Sequence, residues 1–352
     1  MPRKREWTER DLSILQELYE IREMTKRQIT ATYFEGNAKY ASKRLSIMKK
    51  EGLIITQVYG TRSQGKTKVA AYARLTERGM NLLLQRGRVD NRNYRARDLG
   101  LSIQQRQYIT DANELHVRIP EVHFMDSRAI KRKHILNRGV LTVGGFITEQ
   151  GDYLIYILNA DAKERTLVKI VTEIRTPKLV QGYLIYYKSL AVKSLFECIS
   201  EKQGLVTGGV PVYLLPFDDL GICMTRDYIL SNKLLKLQKL FEAYGSLTPV
   251  QGQSKYGFLY GLRQQVGKRG PYVIELLTGD MLILKRCLRN YNMEASQREG
   301  RRVLLFCFEE EVQRYKQDLL SAAHVDIVGI PKSAFESHFE GSDAVRNMDA
   351  QG

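Results

Sequence analysis

Apolar and polar residues alternate at helical spacing through the first 50 residues of this chain, in three successive stretches. The first stretch begins at Thr8, and Asp11 three residues later completes the pattern of a capping box. The second begins at Thr25, and the third follows the turn "EGN" with Asn37 as its cap. The inward-facing positions of these three predicted helices are Leu12, Leu15, Leu18, Tyr19, Ile29, Tyr33, Ala41, Leu45 and Met48. Gly52 is expected to end the third helix in a left-handed conformation.

The pattern changes from helical to alternating after Gly52. "LIITQVYG" and "KVAAYARLT" predict two strands, joined by the polar loop "TRSQGKT". Thr76 then begins a fourth helix. Three helices, a two-stranded hairpin and a closing helix predict a winged helix-turn-helix over residues 1–88. The predicted fold class of the whole chain is α+β, with several domains.

The exposed side of the third predicted helix is basic, because Lys39, Tyr40, Lys43 and Arg44 lie opposite its apolar stripe. In a helix-turn-helix this helix is the one that enters the major groove of DNA. These four residues are therefore predicted to bind DNA. The start of the second helix and the hairpin add further candidates, Lys26, Arg27, Arg62, Lys66 and Lys68. The alternative is a solvated helix face on a winged helix that binds protein.

Composition supports a polyanionic partner. The 352 residues carry a formal charge of +16, with a pI of about 9.6, and residues 1–110 hold 23 Lys and Arg against 11 Asp and Glu. This asymmetry favours a basic module that binds nucleic acid, with an anionic membrane surface as the less common alternative. A hydrophobic content of 43% allows a sizeable core and two or three domains.

The remainder of the chain is predicted to be α/β. Residues 89–112 are interpreted as a basic connector that tracks phosphates or is simply solvated. "ELHVRIPEVHF", "GVLTVGGFI", "GDYLIYILN" and "TLVKIVTEIRT" predict strands in a mixed region over residues 113–245, and "LIYYKSLAVKSLFECIS" predicts a helix. Residues 341–352 are predicted to be a flexible tail.

The C-terminal unit, residues 246–340, has a β-α-β-α-β pattern from "YVIELLTGD" to "VDIVGIP". It is either separate or part of one domain with the preceding region. A similar strand-helix-strand segment runs from residue 166 to 216, so the chain contains an internal repeat or one larger sheet. A mixed or partly parallel sheet covered by helices is expected in either case.

Three carboxylates in this α/β region are weak candidates for a nuclease site. Restriction-type nucleases place an acidic residue on one strand and a Glu-x-Lys pair on the next, so that two carboxylates hold Mg²⁺. Asp152 is followed by Glu173, but Arg175 stands where the lysine belongs, and Glu275 lacks a lysine two residues later. An arginine stays protonated and is a poor base. The chain is therefore not predicted to be an enzyme, and a Mg²⁺-dependent nuclease or nickase is the enzymatic alternative.

Other kinds of site find no support in the sequence. The four cysteines are far apart in apolar contexts, and the five histidines form no His-x-His pair, so neither a metal site nor a cofactor is predicted. The N-terminus has no apolar signal region, and no apolar run is long enough to span a bilayer. These features predict a cytoplasmic protein without a membrane partner.

The N-terminal segment resembles the replication-relaxation family, proteins of plasmids, conjugative elements and phages of Gram-positive bacteria. The motifs that carry the resemblance are "RDLSIL", "TKRQI", "RLSIMKKEGLI" and "YARLTERG". The likeness covers about residues 8–85 and extends weakly to "YVIELLTGD", "LKRCLRNY" and "RRVLLFCF". It implies a role in DNA replication or relaxation.

The predicted function is sequence-specific binding of double-stranded DNA at a replication or transfer origin of a mobile element. A homodimer is expected because a pseudo-palindromic site needs two winged helices, and replication or transfer proteins are candidate partners. The alternative is a transcription regulator that uses the same module, with the α/β half as a sensor or oligomerisation domain. Sequence does not separate these two roles.

Overall fold

The computed structural model of this chain describes residues 6–63, 66–90, 95–231, 233–250, 256–263 and 269–336. Within those residues it is a mixed α+β protein with three β-sheets. The chain divides into two compact units. Unit 1 comprises Met1–Arg138 and Val143–Gly145, and unit 2 comprises Gly139–Thr142 and Phe146–Gly352.

Unit 1 begins with three helices whose caps match the sequence prediction. They are α1 (Glu9–Glu20), α2 (Lys26–Phe34) and α3 (Ala38–Lys50). Thr8 and Thr25 form capping boxes with Asp11 and Gln28, and the Asn37 side chain accepts from the Tyr40 N–H. These side chains satisfy backbone donors that the first helical turn leaves without partners. The predicted helix starts are confirmed.

A three-stranded antiparallel sheet covers the helices of unit 1. Its strands are β1 (Glu23–Thr25), β2 (Ile54–Ser63) and β3 (Lys66–Leu75), in the order β1-β3-β2. The predicted hairpin of β2 and β3 is confirmed. β1 was not predicted, since three residues between two helices give no alternation to detect. Helix α4 (Glu77–Gln85) follows, capped by Thr76 as expected.

The segment predicted as a connector and a strand contains a long helix instead. Helix α5 (Ile103–Arg118) is capped by Ser102 and lies against β1. The Asn113 side chain donates to the Glu23 carbonyl at 2.6 Å, and Arg106 pairs with the Glu23 carboxylate at 2.7 Å. Strand β4 (His123–Asp126) and helix α6 (Ser127–Lys133) complete unit 1. Its end near residue 138 therefore does not coincide with the expected boundaries at residues 88 and 112.

The first sheet of unit 2 has three adjacent parallel strands. They are β6 (Gly151–Leu158), β7 (Gly182–Tyr187) and β8 (Val212–Pro216). A further strand, β5 (Gly144–Thr148), lies next to β6 in the same sheet. Helices α7 (Glu164–Arg175) and α8 (Leu190–Lys202) connect the parallel strands. Both connections are of the β-α-β kind expected for a parallel sheet.

Two predictions for this region are wrong. "TLVKIVTEIRT" belongs to helix α7 rather than to a strand, and its buried residues fall at helical spacing: Leu167, Ile170, Val171 and Ile174. "LIYYKSLAVKSLFECIS" is not one helix, because its first residues belong to β7 and Ser189 caps α8. The β-branched residues of the first segment suggested a strand. In the second segment, a continuous apolar run gave no sign of the boundary between β7 and α8.

The second sheet of unit 2 has the strand order β13-β12-β11-β10-β9. Its strands are β9 (Ser246–Pro249), β10 (Tyr260–Arg263), β11 (Arg269–Glu275), β12 (Val303–Phe308) and β13 (Val325–Ile330). The last three are parallel, which confirms the predicted β-α-β-α-β pattern. The other α-helices of unit 2 are α9 (Asp219–Cys223), α10 (Lys233–Leu240), α11 (Ile283–Leu288), α12 (Met293–Glu299), α13 (Val312–Asp318) and α14 (Lys332–Glu336).

The two sheets of unit 2 repeat one arrangement. In each, three consecutive strands are parallel and are joined by helices, and an additional strand lies beside the first of them. They remain separate sheets rather than one larger sheet. The regions expected to meet near residue 245 lie within this one compact unit. The predicted tail, residues 341–352, lies outside the described residues.

Candidate nucleic-acid interface

The exposed side of α3 carries the cluster that the sequence predicts. Ala41, Leu45 and Met48 are buried, whereas Lys39 and Lys43 are exposed and Tyr40 is 49% exposed. The Asn37 cap fixes the first turn of α3, because its side-chain oxygen accepts from the Tyr40 N–H at 3.0 Å. Lys39, Tyr40 and Lys43 are called the α3 surface below.

Arg10 joins this surface from α1. Its guanidinium lies 5.3 Å from the ring centroid of Phe34 and 5.9 Å from that of Tyr40. The two rings meet edge to face at 5.5 Å. The cation and the rings attract one another, which restrains the Tyr40 ring. Arg10 could not be predicted from the sequence, because no local pattern links a residue at the start of α1 to one 30 positions later.

Arg44, also predicted to contact DNA, has a structural role in unit 1. Its guanidinium makes a bidentate pair with the buried Asp11 carboxylate, with the Arg44 Nε 2.6 Å from Asp11 Oδ1. It also lies 5.5 Å from the ring centroid of Trp7. The pair joins α3 to the first turn of α1. An arginine held in this way is not available to a DNA base without breaking the contact between the helices.

The electrostatics of this pair favour the charged form of Asp11. Burial raises the pKa of Asp11, but the hydrogen bonds from Arg44 and Thr8 outweigh burial and hold it below its ordinary value of 3.8. The Thr8 N–H and hydroxyl donate to Asp11 at 2.8 and 2.7 Å. Asp11 therefore caps α1 and binds α3 with the same carboxylate.

The other predicted contacts have different positions. Lys26 is exposed at the start of α2, and Arg27, also exposed, pairs with Glu114 of α5 at 2.7 Å. Arg62 is on β2, with Lys66 and Lys68 on β3, and the side chains of these three lie outside the described residues. Unit 1 thus places Lys26 and Arg27 on the helix that precedes α3, and the remaining three on the hairpin that follows it.

The three nuclease candidates lie on separate elements. Asp152 is buried on β6, Glu173 is on helix α7 rather than on a strand, and Glu275 ends β11 in the other sheet. The Glu173 carboxylate accepts a hydrogen bond from the Leu141 N–H at 2.9 Å, so it has a structural role. No group of three or more potential metal-binding side chains is found in the part of the chain that the structure describes.

Glu275 belongs to a buried polar cluster at the end of β11. It pairs with Lys233 of α10 at 2.5 Å and accepts from the Thr278 N–H and hydroxyl at 3.1 and 2.8 Å. Asp280, nearby in sequence, accepts from the Val212 N–H of β8 at 3.3 Å. Burial raises the pKa of Asp280, although Arg286 opposes the shift. The cluster joins the two sheets of unit 2.

A cleft of about 820 Å³ lies beside this cluster in unit 2. The strand ends that line it are Tyr187 of β7, Pro216 of β8 and Phe308 of β12, and Asp280 also lines it. In α/β sheets, ligands bind beyond the carboxyl ends of parallel strands. Its volume is in the range of small-molecule sites.

Comparison with family models, with curated proteins and with solved structures finds no match for this chain. The resemblance of its N-terminal motifs to the replication-relaxation family therefore stays a prediction. Among the described helices, none has both the length and the apolar character needed to cross a lipid bilayer.

Proposed function

We propose that unit 1 is a winged helix-turn-helix that binds duplex DNA, with α3 as its recognition helix. The observation that carries the proposal is the α3 surface: two exposed lysines and an exposed tyrosine on one side of a helix whose other side is buried. The order of elements, α1-β1-α2-α3-β2-β3-α4, with a three-stranded sheet, supports the proposal of a winged helix. The excess of positive charge in residues 1–110 supports a polyanionic partner.

In this proposal the α3 surface lies in the major groove. Lysine ammonium groups donate to the O6 and N7 atoms of guanine, and the phenol of Tyr40 contacts a base edge or a phosphate. Arg10 keeps the Tyr40 ring in place through its cation–π contact. The hairpin of β2 and β3, with Arg62, Lys66 and Lys68, supplies contacts to the DNA backbone.

The biological setting is proposed from the resemblance of the N-terminal motifs. It favours a DNA-binding protein of a mobile element that acts as a dimer at a replication or transfer origin, together with replication or transfer proteins. Immunoprecipitation of bound DNA from the native host, followed by sequencing, tests this. Occupancy of an origin is the expected result, and occupancy confined to promoters would contradict it.

A transcription regulator with a ligand-sensing unit 2 is the second candidate. The cleft at the strand ends of unit 2 favours it, because such a cleft suits a small molecule that would alter DNA affinity. The same mapping experiment separates the two functions. Promoter occupancy that changes with growth conditions supports regulation.

Replacing Lys39 and Lys43 together by alanine is expected to lower specific affinity by about 1–3 kcal/mol for each lost base contact. The measurement is fluorescence anisotropy with the duplex recovered from the mapping experiment and with a scrambled duplex. The matched control is Lys49→Ala with Lys50→Ala, which removes equal charge from the other end of α3. This control should keep the preference for the specific duplex. An unchanged preference in the Lys39/Lys43 variant would remove α3 from base recognition.

Replacing Arg62 and Lys66 by alanine is expected to weaken binding to all duplexes alike. Contacts to phosphates release counterions, so each lost contact reduces the slope of log affinity against log salt by about 0.9. Titration of both duplexes at several salt concentrations measures this slope. If the specific duplex alone loses affinity, the hairpin contacts bases rather than the backbone.

A further inference from the structure

Ile135, in unit 1, combines two unusual properties. Its surface is 93% exposed, and its backbone φ is +52°. A β-branched side chain rarely adopts this left-handed conformation, which costs on the order of 1–3 kcal/mol. A left-handed residue commonly follows the end of a helix, but that residue is usually glycine. An almost fully exposed, β-branched isoleucine at this position after α6 points to a use for the side chain.

The loop that carries Ile135 is held by its own hydrogen bonds. The Ile135 N–H donates to the Arg132 carbonyl at 3.2 Å, and the Leu136 N–H donates to the Lys131 carbonyl at 2.7 Å. The Lys131 ammonium donates to the Arg138 carbonyl at 3.3 Å, which closes the loop. Residues 131–138, the last turn of α6 and the loop that follows it, are called the basic loop below. Its geometry keeps the isoleucine pointing into solvent.

The surroundings of Ile135 are strongly basic. Residues 127–148 contain no Asp or Glu and five Lys and Arg, of which Arg132, Lys133 and Arg138 are exposed in the basic loop. Cations at the end of α6 complement the helix dipole. The dipole gives no reason for an exposed isoleucine among them.

An apolar side chain surrounded by cations matches the chemistry of proteins that bend DNA from the minor groove. Such proteins neutralise phosphates with Lys and Arg and insert an Ile, Leu, Met or Phe between two base pairs. We propose that the basic loop is a second duplex-DNA contact of unit 1, in which Ile135 enters the minor groove and unstacks one base step. The proposal adds to the α3 contact and rests on the proposed function for DNA as the partner.

The two contacts are joined to opposite ends of α1. The α3 surface is linked to the first turn of α1 through Asp11, and α6 is linked to its last residue because Arg128 donates to the Glu20 carbonyl at 3.2 Å. The nine residue steps from Asp11 to Glu20 span about 14 Å along the helix axis. This distance corresponds to about four base pairs at 3.4 Å each.

The first test is Ile135→Gly, measured by energy transfer between dyes on the ends of a duplex of about 30 base pairs with a central TA step. The parent protein is expected to bend the duplex by on the order of 20–90°, and the variant to leave it nearly straight. Glycine accepts a positive φ, so the variant should unfold at the same temperature as the parent or higher. The control, Leu179→Ala, removes another exposed apolar side chain and should bend DNA like the parent.

The second test removes the charges of the loop by Arg132→Gln, Lys133→Gln and Arg138→Gln in one variant. Its slope of log affinity against log salt should fall by about 2–3, since each phosphate contact contributes about 0.9. The charge-matched control replaces three exposed cations of unit 2 by glutamine, at Arg165, Lys202 and Arg298. This control should keep the parent slope. Equal slopes in the loop variant and the parent would overturn the proposal.

The outcomes separate this inference from the proposed function. If Lys39→Ala with Lys43→Ala weakens specific binding while Ile135→Gly bends DNA like the parent, the wedge is wrong and the α3 proposal stands. If the loop variants lose bending and affinity while the Lys39/Lys43 variant binds normally, α3 is wrong and the loop contact stands. Binding of the parent to vesicles with about a third phosphatidylserine, lost in Ile135→Gly, would overturn DNA in favour of a membrane surface.

Discussion

Replacing Lys233 by methionine is expected to lower the free energy of unfolding of unit 2 by about 3–5 kcal/mol. The substitution leaves the Glu275 carboxylate, which is 5% exposed, without its cation. A buried charge without a partner costs far more than the pair contributes, because its hydration has been lost and nothing replaces it. The Thr278 hydroxyl, which Lys233 also contacts at 2.9 Å, cannot neutralise the carboxylate.

A second substitution shows that the loss comes from the charge. Adding Glu275→Gln to Lys233→Met removes the stranded charge and keeps an oxygen that accepts from Thr278. The double variant is expected to recover most of the lost stability. Urea unfolding followed by circular dichroism, with hydrogen exchange of the amides in β11 and β8, measures both variants. Failure of the double variant to recover would assign the effect to packing of the lysine stem instead.

An exposed pair of similar length provides the control for this measurement. Lys332 and Glu310 lie 2.6 Å apart, with side chains 42% and 64% exposed. Because water solvates both partners, Lys332→Met is expected to change stability by no more than about 1 kcal/mol. A loss as large as that of Lys233→Met would mean that burial does not distinguish the two pairs.

Replacing Asp11 by alanine is expected to destabilise unit 1 by about 3–5 kcal/mol. The change removes the N3 partner of the Thr8 capping box and leaves the Arg44 guanidinium, 18% exposed, without its carboxylate. Both the start of α1 and its contact with α3 depend on this one side chain. Since α3 carries the proposed DNA contacts, specific DNA affinity should fall as well.

The only tryptophan of the chain reports on this site directly. The Arg44 guanidinium lies 5.5 Å from the Trp7 ring centroid, so Trp7 fluorescence should follow the unfolding of unit 1 in the full-length protein. The control is Asp326→Ala, which removes the carboxylate of another bidentate pair: Arg302 lies 2.7 and 2.6 Å from Asp326, with both side chains about half exposed. This control should cost no more than about 1 kcal/mol. Equal losses in the two variants would contradict the structural role of Asp11.

The pair of Asp11 and Arg44 predicts a pH dependence of stability with a definite sign. Because the folded pKa of Asp11 lies below its ordinary value of 3.8, its stabilising contribution is present above that pH and is lost as the pH falls through the folded pKa. Asp11→Asn should therefore lose stability at neutral pH and lose less additional stability on acidification than the parent. A parent and variant with parallel profiles below pH 4 would contradict this.

Local chemistry accounts for the features that were predicted correctly. Thr8, Thr25, Asn37 and Thr76 accept hydrogen bonds from backbone N–H groups three residues later. Each helix start can therefore be predicted from a few neighbouring residues. The apolar stripe of α3 and the alternating pattern that predicted β2 depend on the same short range. Their periods, 3.6 and 2 residues, follow from helix and strand geometry alone.

Long-range pairing accounts for the features that were missed. β1 becomes a strand only because β3, which is 50 residues away, offers free backbone groups beside it. α7 is a helix because four apolar residues at helical spacing cover the first sheet of unit 2, although their β-branched content favoured a strand. In both cases tertiary contacts outweighed the local preference.

For the candidate site, the sequence by itself determined that a basic helix with one apolar side would follow two others, and that a hairpin would come next. Only the tertiary structure decided which basic side chains form ion pairs within unit 1 and which are exposed on the candidate surface. It paired Arg44 with Asp11 across 33 residues, brought Arg10 to Tyr40, and left Ile135 exposed at a positive φ among cations. The physical reason is that charge is a property of the side chain, whereas burial and pairing depend on which distant residue the fold places within a few ångströms.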